Sequence, residues 1–219
     1  MRPARVIGRR AALLAGAGLA ARPAAAVAVP PGAALAFRLV RHGSDIGRHT
    51  LSFDRQGDAL TVRAEVQALV SLLSVPIVRY SHHAIETWQG GKLAGLTGET
   101  VKNGQHEWVS ARRNGEGLVV DGSRTARYMA PEAAIGTTYW NRRMVDGPMI
   151  SLEDGVLLRP RIELHPAETI RLASGGMITA DHYNLSGAFD ADVWYDQTGT
   201  WASLGFDAAD GSNIRYERL

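Results

Sequence analysis

Between residues 60 and 70 the chain alternates. Leu60, Val62, Ala64, Val66, Ala68 and Val70 are interleaved with Thr61, Arg63, Glu65, Gln67 and Leu69. A period of two turns one set toward a core and the other toward water, so the spacing predicts a strand of an antiparallel sheet. Shorter runs of the same kind predict strands at 36–42, 48–54, 77–87, 93–101, 107–112, 118–121, 157–164, 169–173, 178–185, 190–195, 200–206 and 213–216.

Turn signals separate these runs: Gln56-Gly57-Asp58, Gly90-Gly91, Asn103-Gly104, Asn114-Gly115, Gly175-Gly176, Thr198-Gly199 and Asp210-Gly211. Asn-Gly and Asp-Gly supply the positive φ that tight hairpins require. Helical periodicity is nearly absent. One turn each is expected at 131–135 and 151–155. No linker splits the chain. The pattern predicts an all-β protein with minor helix, a curved antiparallel sheet or half-barrel in a single domain. Glu86-Thr87-Trp88 and Asp192-Val193-Trp194 echo one another, each an acid-x-Trp strand followed by a turn and a returning strand. Two copies are too few for a solenoid, and the echo reads as a repeated hairpin.

The first 28 residues are different. Arg2, Arg5, Arg9 and Arg10 precede an apolar run from Ala11 to Ala21, and Arg22 precedes Ala24-Ala25-Ala26-Val27-Ala28. A charged region, a short apolar region and an A-x-A site make an export signal cleaved near Ala28. The run is shorter than the roughly 20 residues that span a bilayer. Arg9-Arg10 just before it resembles a twin-arginine signal, whose cargo crosses folded; Gly8 and Ala11-Ala12 also suit the general secretory route. Residues 1–28 would engage the export machinery. Residues 29–219 would form the domain, periplasmic or secreted and not membrane-spanning after cleavage.

Cleavage changes the charge. The chain carries 24 basic and 22 acidic residues; removing the signal's five arginines leaves 19 basic against 22 acidic. The basic stripe that nucleic-acid binding wants is then missing, and no nucleic-acid partner is expected. Cysteine is absent, which excludes disulfides, thiolate metal sites and a cysteine nucleophile.

Several segments carry a resemblance: Ile46-Gly47-Arg48-His49, the run Tyr80 to Trp88, Gly91-Lys92-Leu93, Asn103-Gly104, Tyr139-Trp140-Asn141, Trp194-Tyr195-Asp196 and Asp210-Gly211-Ser212. Together they resemble an exported bacterial β-protein family of unknown function, over most of residues 29–219. More distantly, the acid-x-Trp hairpins are similar to periplasmic half-barrels of the lipoprotein-localisation-factor type. That second resemblance implies a concave face that holds an acyl chain. Neither resemblance implies catalytic residues or a cofactor.

Candidate chemistry is sparse. His82, Ala84 and Glu86 point one way in a strand and His83 the other, so His82 and Glu86 form a polar site candidate. Scattered His49, His106, His165 and His182 lack an H-E-x-x-H arrangement, and no metal is expected. No serine lies in a G-x-S-x-G elbow. Glu153-Asp154 and Asp190 with Asp192 read as turn and strand-face acids. The glycine pairs lie between strands and read as hairpin turns, not phosphate cradles.

The aromatic supply is larger. Trp88, Tyr139, Trp140 and Trp194 are candidates for lining an apolar cavity. In residues 136–144, Arg142 and Arg143 would read an anionic headgroup at a half-barrel mouth. Residues 69–78 are apolar around Pro76, which argues against a regular central strand there. They read as core or as the lip of a lipid-accepting opening, with Leu72 as its contact. Three functions stay open: a non-catalytic binder or carrier of a hydrophobic or amphiphilic, lipid-like ligand; an envelope hydrolase acting on a glycan or ester through His82 and Glu86; and an envelope scaffold or assembly protein.

Overall fold

The structure, a computed structural model, describes residues 28–72 and 75–219. The expected export signal therefore lies outside the described residues, except for Ala28. Sixteen strands follow one another: β1 (Ala34–Arg41), β2 (Ser44–Gln56), β3 (Ala59–Leu72), β4 (Val75–Gln89), β5 (Lys92–Lys102), β6 (Gln105–Arg113), β7 (Leu118–Gly122), β8 (Thr125–Ala130), β9 (Ile135–Gly136), β10 (Met149–Ile150), β11 (Leu157–Leu158), β12 (Arg161–Arg171), β13 (Met177–Ser186), β14 (Ala191–Asp196), β15 (Trp201–Asp207) and β16 (Asn213–Arg218).

Thirteen of these strands form one antiparallel sheet, and β9, β10 and β11 form a second, small one. In the large sheet consecutive strands pair as hairpins, and β16 pairs with β1, which joins the first and last described strands. The sheet is not closed; its edges are β8 and β12. The predicted alternation is present in β3, where Leu60, Val62, Ala64, Val66 and Val70 are buried.

Residues 131–160 connect the two edges, and they pass along the concave face. Ile135, Trp140, Met144, Met149, Ile150 and Leu152 of this insert are buried in the same cluster as Phe37, Leu51, Leu60, Leu118, Val193 and Trp201 of the sheet. Burying such side chains contributes roughly 1.5–3 kcal/mol each. The fit has a sequence basis. Register aligns Leu51, Ala64, Ala84, Gly98, Val109 and Gly122 across β2 to β7. Small side chains in this row let the insert backbone come close. A Cβ on Gly98 would lie 2.1 Å from the Leu152 carbonyl, and one on Gly122 would lie 2.3 Å from that of Asp154.

Several expectations need correction. β8, β9 and β10 lack an alternating pattern and fall outside the predicted strands. The 157–164 run is broken by Arg159-Pro160, and its second half joins the first part of the 169–173 run in β12, which ends at Arg171. β12 runs through Pro166 with a register shift between His165 and Glu168; as an edge strand it needs no ladder N–H there. Pro76 also lies within a strand, opposite Ser71. β5 pairs only as far as Tyr80, so the missing N–H at Pro76 breaks no β5 bond. The 131–135 and 151–155 segments are isolated turns, closed by Ala134 N–H to the Pro131 carbonyl and Gly155 N–H to the Ser151 carbonyl. The one regular helical turn of the insert is a 3-10 turn at Arg142–Asp146, capped by the Asn141 side chain.

Candidate functional site

Glu86 lies at the centre of the concave face. Register aligns it with Phe53, Val62, Leu96, Ala111 and Val120 in an otherwise apolar row, and it is 1% exposed. Its Oε2 accepts from the indoles of Trp88 at 3.0 Å and Trp140 at 2.9 Å. Its Oε1 lies 2.9 Å from the Thr138 hydroxyl. Burial raises the pKa of Glu86, against the lowering effect of hydrogen bonds from Trp140, Thr138 and Trp88. All three partners donate and so favour the carboxylate, while burial favours the neutral acid and is the larger effect.

Trp140 also meets Trp88 edge-on at 5.7 Å and Phe53 at 5.2 Å. Tyr139, one residue earlier, has φ +61°, a left-handed conformation uncommon for a bulky residue. That backbone sends the two neighbouring rings to different walls. Tyr139 stacks on Trp201 at 5.4 Å, and its carbonyl accepts from Tyr195 at 2.8 Å. The insert thus bridges β4 to β14 and β15. Trp88, Trp140 and Glu86 do meet, but as a fastening of the insert and not as an open pocket.

His82 does share the inward face with Glu86, but its partner is Thr100, with Nδ1 2.8 Å from the hydroxyl. Burial lowers its pKa to about 4, with a smaller contribution from His83. His49 aligns with it across β3, through Val66. His49 lies edge-on to Trp201 at 5.2 Å and Tyr216 at 5.8 Å. Neither of its ring nitrogens has a hydrogen-bond partner, and burial pushes its pKa down to about 3. Tyr80 donates to Glu153 at 2.7 Å; its hydroxyl is held well above the ordinary tyrosine value by burial first and by Glu153 second. Among the described residues no three histidine or acidic side chains converge as metal ligands.

The remaining candidates are dispersed. Arg142 donates to the Tyr183 hydroxyl and lies 5.3 Å from that ring's centre. Arg143 donates to the Gly91 carbonyl at 3.2 Å, in the β4–β5 turn. These bonds tie the insert to the sheet, and the two side chains point to different partners. Trp194 is misplaced by the sequence reading. Val193 and Tyr195 take the inward positions of β14, and Trp194 packs on the other face with Ile170, Ala180 and Ala202, apart from the main core. There it stacks on His182 at 4.6 Å, His182 stacks on His165 at 4.9 Å, and the Arg215 guanidinium lies 5.4 Å from the Trp194 ring. His182 Nε2 lies 2.7 Å from Asp192, and the Trp194 indole donates to Glu168. Leu72 closes β3 opposite Val75; its side chain lies outside the described residues.

A cavity lies elsewhere. It measures about 630 Å³ and is lined by Ile46, Ala68, Leu69, Arg79, Tyr80 and Val101, among others. It sits at the rim where β3 and β4 extend past their neighbours. β2 pairs with β3 no further than Gly47↔Ala68, and β5 with β4 no further than Tyr80↔Lys102. Leu69 is 49% and Val101 39% exposed. Asn103 fixes one wall: its side chain accepts from the Arg79 N–H at 2.8 Å, and its own N–H donates to the Arg79 carbonyl at 2.9 Å. Ligand sites typically occupy about 300–1,000 Å³, so the volume is sufficient for a small molecule. The sequence reading touched this place only through its apolar 69–78 run. Arg79 and Val101 carry no functional signal of their own in the sequence, and Asn103 enters there only as a turn and resemblance residue. One available signal was the absence of any acidic residue between Glu65 and Glu86.

No curated protein matches the chain. Among solved structures it is similar to the "Beta-barrel-like Protein of Domain of Unknown Function DUF1849 from Brucella abortus", with TM-score 0.58 and 11% sequence identity over 85% of this chain and 94% of that one. At that identity the likeness concerns the fold. Both comparisons point to β-families of unknown function and not to the lipoprotein-localisation type. The physical difference is plain, since the insert fills the concave face that would hold an acyl chain. The family described as "Domain of unknown function (DUF6134)" matches residues 37–219, and the chain belongs to it.

Proposed function

We propose that the protein is an exported, non-catalytic binder of a lipid-like amphiphile, which it holds in the rim cavity beside β3 and β4. The cavity carries this reading: about 630 Å³ of space bordered by half-exposed Leu69 and Val101 together with polar groups. Apolar surface with a few convergent polar groups is the usual make-up of a small-molecule site. The export signal in residues 1–28 supports a periplasmic or secreted place of action. The hydrolase reading finds little in this geometry, because the insert covers Glu86 and every oxygen of its carboxyl group already has a partner.

The test uses the protein recovered from the envelope of cells expressing the full chain, examined by native mass spectrometry before and after organic extraction. A bound lipid-like mass, or retention of added amphiphile, is expected. Leu69→Asp should abolish retention. Leu164→Asp, at a more exposed leucine on edge strand β12, should leave it intact. A clean protein mass with no added amphiphile retained overturns the reading.

A further inference from the structure

We infer that the rim cavity selects an amphiphile with a single chain and an anionic oxygen headgroup, and that Arg79 is the residue that reads the head. The inference rests on the amphiphile reading above and names its ligand class. Arg79 is the one charged residue in the cavity wall, and no acidic side chain lines it. Among the described residues Arg79 forms no ion pair, whereas Arg38, Arg41, Arg113, Arg124 and Arg218 each have an acidic partner.

The surroundings keep this charge available. The chain has no aspartate or glutamate between Glu65 and Glu86. The ladder partner of Arg79 on β3 is Leu69, and that of Ser81 on β5 is Val101. A guanidinium, a polar Gln67 and Ser81, and two half-exposed aliphatic side chains therefore share one short stretch of wall. Asn103 clamps the Arg79 backbone through two hydrogen bonds, so the base of the side chain is fixed before any ligand arrives. A planar guanidinium matches a carboxylate or phosphate through paired N–H donors. The aliphatic pair offers a surface for one chain beside it.

The experiment titrates dodecanoate, dodecyl phosphate, the neutral ester monolaurin and inorganic phosphate into the protein recovered from the envelope. Binding is read by native mass spectrometry and calorimetry. Both anionic amphiphiles should bind at least tenfold more tightly than monolaurin. Arg79→Gln should remove that gap by weakening the anionic amphiphiles, while Arg143→Gln, at the β4–β5 turn, should preserve it. Raising the salt should narrow the gap. A preference for one oxyanion over the other supports the inference and names the head. Equal binding of dodecanoate and monolaurin, with Arg79→Gln silent, overturns the inference and leaves the amphiphile reading standing. Failure of all three amphiphiles overturns both. Inorganic phosphate binding as tightly as dodecyl phosphate identifies a free-anion site and overturns the amphiphile part of both.

Discussion

The indole of Trp140 donates to Glu86 across 2.9 Å, and this bond fastens the insert to the wall it covers. A buried acid is costly unless its partners are complete. Here Trp88, Trp140 and Thr138 complete them from both sides of the contact, so neither insert nor wall is satisfied without the other.

Glu86→Ala should therefore destabilise the fold strongly. It strands two indole donors and a hydroxyl in the core, each costing about 1–3 kcal/mol when unsatisfied. A loss of roughly 3 kcal/mol or more is expected in urea denaturation. Glu86→Gln keeps an oxygen for the two indoles and an amide for Thr138, and should lie within about 1 kcal/mol of the parent at pH 4. The pH dependence follows from the raised pKa of Glu86. The folded state holds the proton more tightly than the unfolded chain, whose carboxyl titrates near 4.5. The parent's advantage is thus complete below that pH and is lost as pH rises through the folded value. Relative to the parent, Glu86→Gln should gain stability between pH 4 and pH 8. A difference independent of pH would rule out the buried neutral acid.

His49 and His82 act in the opposite direction. Burial lowers their folded values to about 3 and about 4, from 6.5. Their contribution is present above 6.5 and is lost as pH falls toward those values. His49→Phe should flatten the acid limb of the stability profile between pH 6.5 and 3. At neutral pH it removes two unpartnered nitrogens from an aromatic box, and should be neutral or stabilising by roughly 1 kcal/mol. Denaturation midpoints across that range decide it; an unchanged acid limb contradicts it.

Gly98→Ala tests how closely the insert is seated. The new Cβ would lie 2.1 Å from the Leu152 carbonyl, a contact that a backbone oxygen cannot accommodate without moving. Overpacking of this kind typically costs about 1–3 kcal/mol. Limited proteolysis should then cut within residues 131–160 sooner than in the parent, with the sheet strands still protected.

Much of this arrangement is legible in the chain. The alternation in β3 and the Asn-Gly, Asp-Gly and Gly-Gly turns identify a meandering antiparallel sheet, because those signals are local. The insert is not legible. Its strands are two residues long, too short for any period, and its burial depends on where distant Gly98 and Gly122 fall in register. The acid-x-Trp echo shows the same limit. Glu86 and Trp88 face the core and bond to each other, whereas Asp192 and Trp194 face outward and bond to His182 and Glu168. The motif is the same; the side it occupies differs between β4 and β14. The rim cavity was half visible, as an apolar run whose one cation, Arg79, attracted no notice without knowing that β2 and β5 stop short of it.

Trp194→Ala should separate the two faces. The ring belongs to a four-residue cluster on the outer side, so its loss should lower stability by about 3 kcal/mol, the lower end of the range for buried aromatic truncation. It should not alter amphiphile retention at the rim. Loss of retention in a variant still folded by circular dichroism would place Trp194 in the site after all.

Export supplies the last prediction. Arg9 and Arg10 precede the apolar run of the expected signal, and the chain contains no cysteine, so folding would need no oxidising compartment before or after export. A twin-arginine route would carry the folded sheet with its insert already seated. Replacing the pair by Arg9→Lys and Arg10→Lys keeps the positive charge that a general secretory signal needs but removes the arginines a twin-arginine signal requires. The substituted protein should remain inside the cell at the mass of the full chain, while the parent appears in the envelope with a new N-terminus near residue 29. Continued export and cleavage of the lysine form would assign the general secretory route, and the sheet would then have to fold around its insert after crossing.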